Sequence, residues 1–421
     1  MYNKILKCRV CGNKNLLSIL KLGEQALTGV FPKSKTEKIT SGPLELIKCA
    51  PIAAEAVCGL VQLGHSYDTS EMYGNNYGYR SGLNQSMVNH LQVIVKNIFE
   101  SIELQKDDLI IDIGSNDSTL LRSYPNSASY HFVGIDPGGA KFKKYYPSNI
   151  ELIADFFSAQ NIRYHFPNKK ARIITSIAMF YDLENPMVFA NDIFEILDDN
   201  GIWVFEQSYL PSMLKTNSYD TVCHEHLEYY CLRQIKWIMD KVGFKIIDVV
   251  FNEINGGSFR ITVAKKELLG EKNNKKINAF FLEEEHLKLD GESIFMNFNK
   301  NIKKHRNDLC KIVKEINEGG KKIFGYGAST KGNVILQYCG FSDKDIPFIA
   351  EVNEDKFGAF TPFTHIPIIS EKEAKAMNPD YFLVLPWHFR ENIIKRENDF
   401  IKSGGKLLFP LPEIEIYKNP K

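Results

Sequence analysis

Two stretches of this chain share one order: an apolar run, a tight turn of glycine and small polar residues, then a helix-like segment. The first is Leu109-Ile110-Ile111-Asp112-Ile113-Gly114-Ser115-Asn116-Asp117-Ser118-Thr119-Leu120. The second is Lys322-Ile323-Phe324-Gly325-Tyr326-Gly327-Ala328-Ser329-Thr330-Lys331-Gly332-Asn333. A strand that is apolar throughout is buried on both faces, so each unit calls for a sheet covered by helices. More apolar runs follow the first turn: Phe132–Ile135 ending on Asp136, Leu152–Ala154 before Asp155-Phe156-Phe157, then Ile173–Ser176 and Ile202–Phe205. Their alternation with helical segments from about 106 to 265 predicts a doubly wound α/β sheet. Runs at Phe348–Ala350 and Tyr381–Leu385 extend the second unit.

The first unit has a nucleoside-binding layout. Gly114 lets the backbone approach a ligand, and Asp136 stands where an acid accepts from ribose hydroxyls. The turn is not GxGxxG, and Asn116-Asp117 place a negative charge where a pyrophosphate would sit. That favours a cationic or neutral nucleoside, and S-adenosylmethionine fits. Asp155 and Phe156 are expected to present a carboxylate and a ring to adenine. The second turn reads as GxGxxxxG, a phosphate cradle with Lys331 available for charge, or as a structural turn.

A chain of 421 residues exceeds one core and predicts two to three domains. With 44% apolar and 24% charged residues it is globular, and a net charge of +1 gives no case for nucleic acid or membrane partners. It lacks an apolar run of membrane-spanning length and a secretory start, which points to the cytoplasm. Cys8 and Cys11 are in CxxC spacing, with Cys49 and Cys58 nine apart. Four thiols so placed favour a structural zinc over buried free cysteines. The glycine- and tyrosine-rich stretch Tyr73–Gly82 reads as a ligand-wrapping loop or a plain turn. A helix is predicted from about Gln85 to Ile102. Residues 266–318 are charged and largely helical, with a core-facing stripe Phe295, Phe298, Ile302, Leu309, Ile312 and Ile316 closed by Gly319-Gly320.

The segment Asn217–Tyr230 gathers Cys223, His224, Glu225, His226 and three tyrosines just past the Ile202–Phe205 run. Groups that titrate near neutrality at a strand's carboxyl end suit proton transfer.

Taken in order, the chain resembles the S-adenosylmethionine-dependent sugar C-methyltransferases that make branched deoxysugars for antibiotics and surface polysaccharides. The resemblance rests on Asp112–Asp117, His224-Glu225-His226-Leu227, Gly325–Gly332 and Leu385-Pro386-Trp387-His388-Phe389-Arg390. It implies a class I methyltransferase sheet with an N-terminal zinc-binding module and a C-terminal Rossmann-like α/β domain. The implied division is 1–70 zinc module, 71–265 methyltransferase domain with a helical start, 266–318 connector and 319–421 C-terminal domain contacting a nucleotide sugar. The implied metal ligands are Cys8, Cys11, Cys49 and Cys58. Cofactor contacts fall on Asp112, Gly114, Asn116, Asp117, Asp136, Asp155 and Phe156. In relatives acting at C3 of a dTDP-4-keto sugar the last histidine of Tyr-His-Glu-His is the base. Carried over, His226 is that base, with Glu225 and His224 beside it and Cys223 in the tyrosine's place. The substrate contacts expected are Tyr79, Tyr181, Cys223, Lys331, His388 and Arg390. O- or N-methylation of a nucleotide sugar is the nearest rival, and an NAD-binding or non-catalytic sugar-nucleotide protein a more distant one.

Overall fold

A computed structural model of the protein describes residues 2–52, 56–72, 79–125, 129–266 and 275–419. The expected ligand loop falls largely on 73–78, outside the described residues.

The central sheet has seven strands in the order Phe244–Asn252, Ser258–Lys265, Leu197–Ser208, Ala171–Ile177, Leu109–Ile113, His131–Ile135, Ile150–Ile153. Leu109–Ile113 runs parallel to both its neighbours, and only Ser258–Lys265 enters antiparallel, pairing on both sides. This is the doubly wound sheet expected from the strand–helix alternation. Strand order reverses at Leu109–Ile113, which opens a crevice at its carboxyl end, where such sheets bind ligands. The five residues of that strand are all buried. The expected helix forms at Gln85–Ser101, capped by the Asn84 side chain accepting the Ser86 N–H at 3.0 Å.

The second unit is a six-stranded sheet, Ile368–Ser370, Ile349–Glu351, Ile323–Tyr326, Tyr381–Val384, Lys406–Phe409, Glu415–Tyr417, antiparallel only at its last strand. Before it runs the long helix Ser293–Glu318, whose Phe295, Phe298, Ile302, Leu309, Val313 and Ile316 are buried. At three- and four-residue steps these side chains form one apolar stripe, each contributing about 1.5–3 kcal/mol when fully buried. No helix among the described residues is long and apolar enough to cross a membrane.

The small N-terminal sheet joins the units. It has the order Glu228–Tyr229, Val61–Leu63, Ser41–Cys49, Leu16–Ala26, so its edge strand comes from the histidine-bearing segment. Tyr219, Val222, Cys223, Leu227 and Tyr229 share one core with Leu20 and Leu63 of this sheet, Leu309 of the long helix, and Val334 and Trp387 of the C-terminal unit. The segment Asn217–Tyr230 is therefore a seam where three parts of the chain meet.

Candidate active site

The crevice holds a cavity of ≈ 230 Å³. Asp112, Gly114, Asn116, Asp136, Phe156 and Tyr79 line it, as does Phe157, which sequence reasoning had passed over. Gly114 has φ +72°, and a Cβ there would come 3.2 Å from the Met179 side chain, so glycine is required. Asn116 also takes a left-handed φ of +49°, which aims its N–H at Asp136 Oδ2, 2.8 Å away. The Gly138 N–H donates to Asp136 Oδ1 at 2.8 Å. Burial raises the Asp136 carboxyl against these two donors. Asp112 receives the Thr175 hydroxyl at 2.6 Å, and burial pushes it up to about 7.

Two expected cofactor contacts do not face this cavity. The Asp117 carboxylate accepts the Thr119 hydroxyl at 2.5 Å and the Gly82 N–H at 3.0 Å, with Arg80 3.7 Å away. It ties the turn to the segment before the first helix. Asp155 is exposed and accepts the neighbouring Phe156 N–H at 2.7 Å. Two acids missing from the expected set line the cavity instead, Asp182 and Glu206. Glu206 closes the Leu197–Ser208 strand region and is buried, with His90 Nε2 at 2.5 Å and the Asn252 amide at 2.9 Å. Its place at a strand's carboxyl end was the signal that could have found it.

Asp112, Asp136, Asp182 and Glu206 give the lining an acidic character, and it contains no Lys, Arg or His. Such a wall suits the ammonium and sulfonium of S-adenosylmethionine and opposes a diphosphate. The donor set fits that cofactor: acids at two strand ends for hydroxyls and amine, rings at a third.

The histidine segment borders a second, smaller cavity lined by Tyr181, Ser208, Thr221, His226, Glu228 and Tyr229, among others. Asp182 lines the large cavity and Tyr181 the small one, so this one step of chain separates them. His226 Nδ1 lies 2.9 Å from the Thr221 carbonyl oxygen, and its ring packs on Tyr181 with centroids 4.3 Å apart. A carbonyl can only accept, so Nδ1 holds the proton and Nε2 carries the lone pair. Burial, then the Lys331 ammonium, lower His226 to about 3, which keeps it neutral at physiological pH.

His224 does not join it. Its ring is fully buried, edge-on to Tyr67 at 4.5 Å, and lines neither cavity. Glu225 is also turned toward the seam. The Thr28 hydroxyl donates to its carboxylate at 3.2 Å, and Gly29 leaves the room it occupies. Cys223 is fully buried, and burial holds its thiol protonated.

Lys331 leaves the C-terminal unit and donates to the main-chain oxygen of Asn255 at 2.9 Å, and Asn255 lines the large cavity. The turn behind it is closed. Glu351 accepts the Ala328 N–H at 2.8 Å, and Ser329 caps the helix by accepting the Gly332 N–H at 3.0 Å. A Cβ on Gly332 would meet Leu385 Cβ at 2.6 Å, so this glycine serves packing. The engaged Ala328 and Gly332 donors, with the Glu351 carboxylate among them, weigh against a phosphate cradle. His388 packs at a tilt against Phe389, centroids 4.3 Å apart, and burial, then Lys331, drive it well below its ordinary value. Arg390 points elsewhere, pairing with Glu415 at 2.7 Å and Glu391 at 2.6 Å, so its guanidinium is engaged away from both cavities.

Near the amino terminus the thiolate positions of Cys8, Cys11, Cys49 and Cys58 all lie within 4.8 Å of one another. The Cys8–Cys58 and Cys11–Cys49 sulfurs are 3.4 and 3.5 Å apart. Tetrahedral zinc with Zn–S bonds of about 2.3 Å wants sulfurs about 3.8 Å apart, so the cluster fits that ion.

Family models match in succession: a zinc binding domain at residues 8–73, a methyltransferase domain at 90–249 and a C-methyltransferase C-terminal domain at 253–412. The C-methyltransferase NovU of Streptomyces niveus is 27% identical over 413 residues, spanning 97% of this chain and 96% of NovU. Among solved structures, the plantazolicin methyltransferase BpumL in complex with SAH is 11% identical, with a TM-score of 0.34 over 42% of this chain and 82% of its own. The CurJ carbon methyltransferase is 12% identical, with a TM-score of 0.34 over 47% of this chain and 58% of its own.

Proposed function

Since this chain belongs to the S-adenosylmethionine-dependent C-methyltransferases that join a zinc-binding, a methyltransferase and a C-terminal domain, we propose that its substrate is a nucleotide-linked 4-keto deoxysugar, methylated on a carbon beside the ketone. The observation that carries this reading is His226, an imidazole fixed in one tautomer with Nε2 left to accept a proton. A carbon beside a ketone becomes nucleophilic only when its proton is removed, and a positioned neutral histidine is worth roughly 10² to 10⁴ in that step. Oxygen or nitrogen acceptors already carry a lone pair and need such a base less.

In this reading S-adenosylmethionine supplies an electrophilic methyl group on a sulfonium. Asp136 accepts from its ribose, Asp112 and Glu206 face its cationic end, and Phe156 and Phe157 flank its base. Gly114 and Asn116 shape the turn that lets it approach. Tyr79 and Tyr181 frame the sugar, while His388 and Lys331 reach toward it from the C-terminal unit. Glu225 holds the seam that aims His226. Cys8, Cys11, Cys49 and Cys58 hold zinc, which braces the small sheet and takes no part in the chemistry. The enzyme works in the cytoplasm, where nucleotide sugars are made.

The test is incubation with S-adenosylmethionine and the dTDP-, GDP- and CDP-linked 4-keto deoxysugars, with product mass and the methylated atom read by NMR. A new carbon–carbon bond beside the ketone is expected. A methyl group on oxygen or nitrogen would overturn the reaction class while leaving the cofactor site in place.

A further inference from the structure

Lys331 is largely buried, and its ammonium makes no ion pair among the described residues. Its hydrogen-bond partner is a neutral carbonyl, that of Asn255 at 2.9 Å. The buried acid Asp220 acts on it through space without forming an ion pair, and one of its two carboxylate oxygens, Oδ2, accepts the Trp387 indole N–H at 2.7 Å. Enclosing an ammonium without an anion in contact is costly, and an anion formed beside it would relieve that cost. Two facts say where that anion forms. The carbonyl that holds Lys331 belongs to a residue lining the large cavity, and the ammonium is close enough to His226 to act on its charge. Of a glycine-rich turn whose Ala328 and Gly332 N–H groups are already taken, Lys331 is the one cationic side chain directed at the methyltransferase half.

We propose that Lys331 is a catalytic residue that donates to the ketone oxygen and holds the enolate, rather than a binder of the substrate's diphosphate. This rests on the reading of C-methylation beside a ketone. In the step, the C–H bond breaks and its proton forms an N–H bond on His226 Nε2. The electron pair of that C–H bond becomes the new C=C bond, and the π pair of the ketone moves onto oxygen, which the ammonium stabilises. The juxtaposition also explains why so charged a neighbour is tolerated beside the base. Lys331 opposes a proton on His226 in the resting site, but the negative oxygen produced in the same step offsets that repulsion. Stabilisation therefore appears where charge develops and not in the resting state, which is what accelerates a reaction.

The experiment compares wild type with Lys331→Met, using Lys331→Gln in its place if the first fails to fold. Intact S-adenosylhomocysteine binding and zinc content identify a folded variant. The kcat and KM for a dTDP-4-keto deoxysugar are measured, together with the dissociation constant for dTDP alone. The expected result is a fall in kcat of roughly 10² to 10³, with KM and dTDP affinity within about threefold of wild type. Retained kcat with weakened dTDP binding would assign Lys331 to the diphosphate and overturn the inference. Unchanged kcat and dTDP binding in a folded variant would overturn it as well. The underlying reading fails separately, if wild type places the methyl group on oxygen or nitrogen.

Discussion

His226 donates from Nδ1 to the main-chain carbonyl of Thr221, 2.9 Å away, five residues earlier in the same loop. The loop's own main chain thus sets the tautomer of its histidine. With Nε2 as the base, His226→Asn is expected to keep both ligands bound and to lower kcat by roughly 10² or more. Because burial and Lys331 hold His226 at about 3, no fall in kcat/KM near pH 6.5 should trace to its protonation. Single-turnover rates for the variant and a pH profile of wild type check both points. Near-normal turnover in the variant would remove His226 from the role.

Glu225 Oε1 stands 2.2 Å from where a Cβ on Gly29 would sit. The clash cannot be relieved by a swing into solvent, since Glu225 is 5% exposed. Gly29→Ala should therefore shift Glu225 and the adjoining His226, with an overpacking cost of about 1–3 kcal/mol. Both the melting midpoint and kcat should fall. Shortening the acid in Gly29→Ala/Glu225→Asp should recover part of the stability, which a double-mutant cycle would read directly. Independent, additive effects would show that the two residues do not touch.

Much of the cofactor crevice was legible because it depends on local pattern. An apolar strand with Asp112 next to its last residue that turns through Gly114, and another followed at once by Asp136, must deliver both acids to one edge of the sheet. Side-chain direction within the turns was not legible. Asn116 and Ser118 take left-handed φ values of +49° and +60°, and this alternation sends Asp117 between them away from the cavity. His224, Glu225 and Arg390 enter through the motifs of the resemblance that also hold His226 and His388. Their true surroundings, Tyr67, Thr28 and Glu415, come from distant parts of the chain, and no local spacing encodes such contacts. Glu206 stands at a readable strand end, but its partner His90 lies on the helix before the sheet, and that pairing has no local signature.

Asp136 serves two functions in one carboxylate, accepting the Asn116 and Gly138 N–H groups while facing the cavity. Asp136→Ala is expected to weaken S-adenosylmethionine binding by about 1.5–3 kcal/mol, the worth of a charged hydrogen bond. Asp136→Asn keeps an acceptor oxygen and should lose less. Calorimetric titration of both variants distinguishes them, and unchanged affinity in the alanine variant would place the ribose elsewhere.

The four-cysteine cluster makes a stability prediction. Cys8→Ser should lose bound zinc and lower the melting midpoint, because ligation energy is folding energy in such modules. The strand Glu228–Tyr229 pairs with Gln62 and Val61 of the same small sheet, so loosening it should also reduce turnover. Elemental analysis that finds no zinc in natively purified wild type would refute the metal assignment.

Burial lowers His224 from 6.5 to about 3. The unfolded chain takes up a proton below pH 6.5 and the folded chain does not until about pH 3, so between these values U binds more protons than N. Stability contributed by the neutral ring is whole above pH 6.5 and declines as pH falls toward 3. At pH 5 the penalty is about 2 kcal/mol, from roughly 1.4 kcal/mol for each pH unit below 6.5. His224→Leu removes the titrating group and keeps the ring's apolar contact with Tyr67 in part. Relative to wild type, the variant should therefore gain about 2 kcal/mol between pH 7.5 and pH 5. His226 and His388 titrate in both proteins and cancel from the comparison. Denaturant melts at the two pH values measure the difference, and parallel pH slopes would show that His224 is protonated as readily in the fold as out of it.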